Sequence, residues 1–321
     1  MVLIVKFWIR LILGIPLALG ILLFVVVDSV WGIYGVHTVL RNGISYWQPV
    51  SLDSPRLSSA MRLALTSAPV AAPGIFTWQT VSPGFEVADL PALVNGHVVD
   101  HLYLARIDPA YFRFVVRNGS NGDRDLDRWM ALLRPALVVN GAYFSPHGGP
   151  DTPFLSDGTL LGPKDYDAKA GAFVASPAFT GIRNLAQEDW KTAFQGADNA
   201  TVSYPLLVRD SASGVAHPSR WLANRSFVGQ DGTGHVIIGT TTDAFFSLDR
   251  LARFLLDAPL GLTMALNLDG GPVACQGISL NGYERKTYGR FELQAEGDKA
   301  WLLTRCYGTV GMPTVLAVFP K

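Results

Sequence analysis

The chain has 321 residues, with 26 basic and 26 acidic side chains and a formal net charge of zero. That balance lacks the basic footprint of a nucleic-acid binder, so no nucleic acid is expected as a partner. At 49% hydrophobic and 16% charged residues, the chain is too apolar for disorder and has ample material for a core.

Near the N-terminus, Lys6 and Arg10 precede an uncharged run, LILGIPLALGILLFVVV (11–27), and Asp28 follows it. As a helix the run spans about 26 Å, a little short of a bilayer core of about 30 Å. Arg10 can snorkel, and the apolar residues of SVWGIYGV extend the far side. The leading positive charges keep the N-terminus cytoplasmic, so a single-pass anchor holds the rest on the periplasmic or extracellular side. A cleaved signal peptide is the rival, although VDSVWG offers no small-x-small cleavage site. A buried core helix is the third reading. The expected plan is an anchor at 1–30, a juxtamembrane linker at 31–75 and a folded domain at 76–321.

Within the linker, SPRLSSAMRLAL fits a short helix that the two prolines of TSAPVAAPG end. Strand patterns then dominate: FTWQTVS, HLYLARID and FRFVVRN. LDRWMALLR has helical spacing and stops at Pro135. ALVVNGAYF reads as a buried strand ending at Asn140-Gly141. Residues 145–200, rich in Gly, Pro, Asp and Ser, are expected to form loops lining a cleft, punctuated by strands such as AGAFVAS. YPLLVRD is a strand, and SFVGQDGTGHVIIGTTTD is a hairpin with an Asp-Gly turn and Asp243 at its far end. Ser247 is placed to cap the helix SLDRLARFLLDA, which feeds the strand MALNLD in a βαβ-like succession. AWLLTRCYG and PTVLAVFPK complete the strands. The fold class expected is α+β: a mixed β-sheet core with a few helices, preceded by one transmembrane helix. Cys275 and Cys306 are the two cysteines; in an exported domain they can pair, or they can be two buried small hydrophobes.

Three strand ends carry polar groups beside glycine: Asn140-Gly141, Asp243 after GTTT, and Asn267 to Gly271. Each Asn-Gly or Asp-Gly alone is an ordinary turn former. NLDGG differs, because Asn267 and Asp269 alternate along an apolar strand and share one face, while Leu266 and Leu268 take the other. Gly270 and Gly271 follow where backbone must turn or approach something closely. His147, in SPHGGPD, is a candidate phosphate contact or proton shuttle, with a solvated loop histidine as the plainer reading. Asp151 and Asp157 read as turn caps, and Asp151 with nearby carbonyls is a candidate Ca²⁺ ligand. His97 and His101 lie in a strand, where a spacing of four does not make a helical zinc pair. No HExxH, Cys-x-x-Cys, phosphate-binding Walker loop or dinucleotide signature occurs, so no metal site and no cofactor are expected.

VVNGAYF (138–144), SDGTLLG (156–162), YPLLV (204–208), NRSFVGQDGTGHVIIGTTTD (224–243), a Ser-led helix and ALNLDGG (265–271) come in one order. This succession resembles the phosphodiester glycosidase family over roughly residues 95–320. Ala142 stands where the family pattern has a second glycine, Tyr143 where it has Phe, and Pro272-Val273 where it has Gly-Ser. Pro272 removes one backbone donor there. The resemblance implies hydrolysis of a sugar-1-phosphodiester at the anomeric carbon. Such chemistry needs carboxylates to stabilise an oxocarbenium-like centre or activate water, and a cation for the phosphate. On that reading Asp269 and Asp243 are the catalytic carboxylates and Arg225 is the phosphate clamp. Asn140 and Asn267 bind hydroxyls or orient the carboxylates, Gly141, Gly270 and Gly271 let backbone approach the ligand, and His147 joins the substrate contacts. The partner expected is a phosphosugar or envelope glycan, with the membrane reached through the N-terminal helix. Two alternatives stand beside it: a non-catalytic envelope scaffold or glycan-binding module, and a metal-dependent phosphodiesterase.

Overall fold

A computed structural model describes residues 14–25, 43–67, 69–119, 122–145, 147–167, 170–308 and 310–321, with backbone alone at 43–46 and 304–308. It is rich in sheet with few helices. Every strand pair among the described residues is antiparallel.

The largest sheet has nine strands. Its middle is built by the hairpin Ser226–Asp231 and Val236–Thr241, flanked by Leu262–Asn267 on one side and His97–Ile107 on the other. Both faces are buried. Leu102, Leu104 and Ile237 pack toward the helices, whereas Ala105, Ile107, Val236 and Ile238 pack toward a second sheet. A strand covered on both faces reads as a continuous apolar run, as VIIG does, because neither set of alternating side chains meets water. The second sheet has five strands, with Leu137–Asn140 between Gln276–Leu280 and Thr314–Pro320.

Helix Leu248–Asp257 crosses between Val236–Thr241 and Leu262–Asn267. Those two strands are not neighbours, since Ser226–Asp231 lies between them and pairs with both. The βαβ-like unit is therefore split. The helix buries Leu251, Ala252, Phe254 and Leu255, each large side chain contributing at most about 1.5–3 kcal/mol. Ser247 precedes it without a capping bond to the helix backbone; its hydroxyl donates to Asp249 Oδ1 at 2.7 Å instead. Helix Leu126–Leu133 is capped by Asp125 and ends in a left-handed Arg134, one residue before Pro135.

The linker expectation is corrected from residue 43 onward. Strand Gly43–Val50 pairs with Lys299–Gly308 in a four-stranded sheet, and helix Ser59–Thr66 buries Ala60, Met61, Ala64 and Leu65 in the main core. Apolar spacing in AMRLAL supplies that face, which the proline-flanked composition had masked. Residues 145–200 are also more regular than expected: Gly171–Ala175 is paired on both sides in a five-stranded sheet with its own small core around Trp190.

Residues 14–25 form an exposed helix, with Leu17, Leu19, Leu22 and Leu23 open to solvent. Among the described residues no helix is long and apolar enough to cross a membrane. The rest of the expected span, 11–13 and 26–27, lies outside the described residues, as does the side chain of Cys306 and so the expected disulfide.

Candidate functional site

Strand Leu262–Asn267 carries its apolar residues into the core and then delivers Asp269 at its end. Leu266 and Leu268 are buried between the two large sheets, and Asn267 and Asp269 take the other face. Here the two sheets are stitched together. Asp269 N donates to Gly141 O at 3.1 Å, and Asn140 Nδ2 donates to the Asp269 carbonyl at 2.7 Å. Asn267 Nδ2 donates to the Tyr143 hydroxyl at 2.8 Å and to the Tyr204 carbonyl at 3.1 Å. Neither amide touches a carboxylate oxygen: Asn140 holds the Asp269 backbone, and Asn267 holds Tyr143 and Tyr204. Both side chains are buried, and their Oδ1 atoms have no hydrogen-bond partner among the described residues.

The Asp269 carboxylate accepts from Gly270 N at 2.8 Å. Burial, reinforced by the charge of Glu292, raises its pKa to about 7; the Gly270 bond and Arg225 pull the other way. Glu292 is the second carboxylate of the site, and the sequence reading missed it. Burial raises its pKa too, against the opposing pull of Arg225 and of Trp221, whose Nε1 donates to Glu292 Oε1 at 2.9 Å.

Gly271 explains the glycine pair. Its φ is +70°, a region that costs an L-residue roughly 1–2 kcal/mol, and a Cβ there would collide with Glu292 Oε2. A Cβ at Gly270 would lie 3.1 Å from Asn224 O and 3.3 Å from Arg225 Nη1, so the glycine keeps both atoms uncrowded. Gly141 is clear for the backbone of Thr314, 2.9 Å from a would-be Cβ, so its role is packing between strands. Pro272 stands at the second position of a 3-10 turn, Gly271–Val273, within the first turn, where a backbone amide has no partner inside the helix.

Arg225 is buried and so is not a plain exposed strand arginine; its charge acts on both carboxylates. Its Nε donates to Phe246 O at 3.2 Å and its Nη2 to Trp221 O at 2.6 Å, leaving Nη1 beside Gly270. Burial lowers its pKa, and Tyr143, Glu292 and Asp269 oppose that shift. Asn224, next to it, was also missed. Its Oδ1 accepts from Arg290 N and Phe291 N, both at 2.9 Å, and its Nδ2 donates to Thr241 O and Asp243 O. Its backbone carbonyl takes Gly271 N at 2.9 Å. One buried amide thus fixes the approach of the Glu292 strand to the glycine turn.

Asp243 is not brought to this centre. Its Oδ1 accepts from Ser58 Oγ at 2.8 Å and from Ala244 N at 2.6 Å, and its own amide donates to Asp100. Ser58 is the N-cap of helix Ser59–Thr66, so Asp243 ties that helix to the hairpin. Asp100, fully buried and raised to about 7 mainly by burial, accepts the amides of His101, Thr242, Asp243 and Phe245. The strand end after GTTT is a structural hub.

The rim is aromatic. Tyr143 stacks on Tyr204 with centroids 4.4 Å apart, and Tyr204 is 44% exposed. Asp151 N donates to Tyr143 O at 3.1 Å, closing the base of a loop whose tip carries His147, exposed to solvent. Partial burial raises the Asp151 pKa, and its charge reaches Asp269, Tyr204 and Tyr166. No group of three or more His, Cys, Asp or Glu side chains among the described residues is placed to hold a metal ion. A shallow cavity of about 370 Å³ between Leu155, Trp190 and Phe194 lies on the small sheet and contains none of these residues.

Residues 134–274 match the model of a family described as phosphodiester glycosidase. No curated protein sequence matches the chain. Among solved structures, the catalytic domain of zebrafish N-acetylglucosamine-1-phosphodiester alpha-N-acetylglucosaminidase, auto-inhibited by its pro-peptide, aligns with TM-score 0.50 and 17% identity. That alignment covers 86% of this chain and 88% of the other. A hypothetical protein from Synechocystis aligns with TM-score 0.47 and 13% identity, covering 86% of this chain and 68% of the other.

Proposed function

We propose that the chain is a hydrolase that cleaves a glycosyl-1-phosphodiester at the anomeric carbon. The observation that carries this reading is Asp269: it lies in the segment that matches the phosphodiester glycosidase family, with its pKa lifted to about 7, beside Glu292 and Arg225. Two acids coupled to one buried cation are what cleavage of a glycosidic bond by charge stabilisation needs.

In this scheme ionised Asp269 faces the anomeric carbon and takes the proton of the attacking water. The bond between that carbon and the bridging oxygen breaks, and the oxygen leaves on the phosphate monoester. The monoester is a good leaving group and needs little acid assistance. Glu292 sets the proton affinity of Asp269, and Arg225 balances the pair through the buried side. Tyr204 offers a half-open aromatic face to a sugar ring.

The substrate we infer is a phosphosugar or envelope glycan. A membrane anchor through the N-terminal apolar segment fits that location, since a helix at 14–25 displays Leu17, Leu19, Leu22 and Leu23 outward with no packing partner in the core. The test is turnover of a panel of sugar-1-phosphodiesters by the full chain and by Asp269→Asn. Release of sugar by the wild type, lost in the variant while substrate binding persists, is the expected result. Binding without turnover in either protein would make this a glycan-binding module.

A further inference from the structure

We propose that the Tyr143 hydroxyl is a substrate-contacting hydrogen-bond donor that holds a phosphoryl oxygen beside Asp269. The inference deepens the hydrolase reading and rests on it for the identity of the ligand. The geometry leaves the hydroxyl little choice. Asn267 Nδ2 spends its two hydrogens on the Tyr143 oxygen, at 2.8 Å, and on the Tyr204 carbonyl, at 3.1 Å. Turning the amide over would set Asn267 Oδ1 against that carbonyl, so the amide orientation is fixed. Tyr143 Oη therefore accepts, and its own proton points elsewhere.

Stacking on Tyr204 at an interplanar angle of 25° holds the ring, and the O–H favours the ring plane on the side away from the Asn267 amide. Through Asn267, which shares a strand face with Asp269, the hydroxyl is tied to the candidate site, and Asp269 and Arg225 are the charges that act on it. Burial raises the Tyr143 pKa, and the nearby Asp269 charge adds to the rise, so the phenol keeps its proton and remains a donor.

Apart from Arg225 Nη1, beside Gly270, the other donors near Asp269 are committed. Gly270 N serves the Asp269 carboxylate, Gly271 N serves Asn224 O, and Arg225 Nε and Nη2 serve protein carbonyls. Asp269, Glu292 and Asp151 crowd the space with negative charge. An anionic phosphodiester entering it needs neutral donors that add no desolvation cost of their own. A phenol already fixed by an amide and a stacked ring is such a donor.

The experiment compares wild type with Tyr143→Phe, which deletes one oxygen and keeps the stacked ring. Two quantities are read on the full chain: the affinity for inorganic phosphate by calorimetry, and kcat/KM for a sugar-1-phosphodiester with inhibition by the free sugar. Loss of a hydrogen bond to a charged ligand predicts phosphate binding and kcat/KM each weakened about 10- to 100-fold. Inhibition by free sugar stays unchanged, which a merely structural defect would not spare. Phosphate binding equal in the two proteins, or absent from the wild type, overturns the proposal. Phosphate binding weakened in Tyr143→Phe while the wild type turns nothing over keeps the donor and removes the hydrolase reading. If the Phe variant does not fold, 3-fluorotyrosine at position 143 keeps the fold and makes the hydroxyl more acidic. Phosphate then binds more tightly than to wild type, and unchanged or weaker binding refutes the role.

Discussion

Changing Asp269 to Asn should abolish turnover and, above pH 7, make the protein more stable. In the unfolded chain the carboxyl titrates near 3.8, whereas in the folded protein burial and Glu292 lift it to about 7. Between those values the native state holds a proton that the unfolded state has released. Wild-type stability therefore falls as pH rises through that window, and the loss is complete above about 7. At about 1.4 kcal/mol per pH unit the full penalty is about 4 kcal/mol. Asn can still accept the Gly270 bond, but its NH₂ group needs partners, so about half of that, about 2 kcal/mol, is expected to survive. For a chain of this length that is a rise in Tm of about 3 °C at pH 8. At pH 4, where folded and unfolded Asp269 differ little in protonation, only the cost of the Asn NH₂ group, about 2 kcal/mol, remains, so the variant should melt about 3 °C below the wild type. Asp100, also raised to about 7, contributes its own slope to both proteins and cancels in the comparison. Scanning calorimetry of both proteins at pH 4, 6 and 8 is the assay. A difference that does not change with pH, or a variant less stable at pH 8, would refute the electrostatic account of the site.

The proposed scheme uses ionised Asp269, so kcat/KM should fall about tenfold per pH unit below about 7, and Glu292→Gln should move that limb to lower pH by removing the like charge. A limb that stays or moves upward would count against the pairing. Gly271→Ala should cost about 1–3 kcal/mol, from the positive φ and the collision with Glu292, and should lower activity in step; denaturant melts and kinetics read both. Asp243→Asn should keep activity within a few-fold, while Ser58→Ala should cost about 0.5–2 kcal/mol of stability through the lost helix cap. Turnover abolished by Asp243→Asn in a folded protein would restore Asp243 to the chemistry.

Local pattern made part of this site legible. NLDGG announces itself because an amide and a carboxylate alternate on an apolar strand that breaks at two glycines, and the structure places the pair on one face as that period requires. The hairpin around Asp231-Gly232 and the helix before Pro135 are likewise dictated by near neighbours in sequence. Glu292 was not legible. FELQAE is an ordinary alternating strand with Leu293 and Ala295 inward, and nothing local marks Glu292 from Gln294 or Glu296. It reaches Asp269 only because Asn224 gathers Phe291, Gly271 and the Asp243 loop around one buried amide, a contact set by tertiary packing. Asp243 misled for the opposite reason: a carboxylate at a strand end looks reactive in sequence, while its actual partners, Ser58 and Asp100, lie far away along the chain. Arg225 was found by position, yet its burial depends on Phe246 and Trp221 carbonyls that no spacing rule foretells.

The most direct test of the central claim is hydrolysis in ¹⁸O-water by the full chain, with mass spectrometry locating the label. Attack at the anomeric carbon places ¹⁸O on the sugar hydroxyl, and the label should disappear with Asp269→Asn. Label on the released phosphate would mean that the P–O bond is broken, contradicting the glycosidase account.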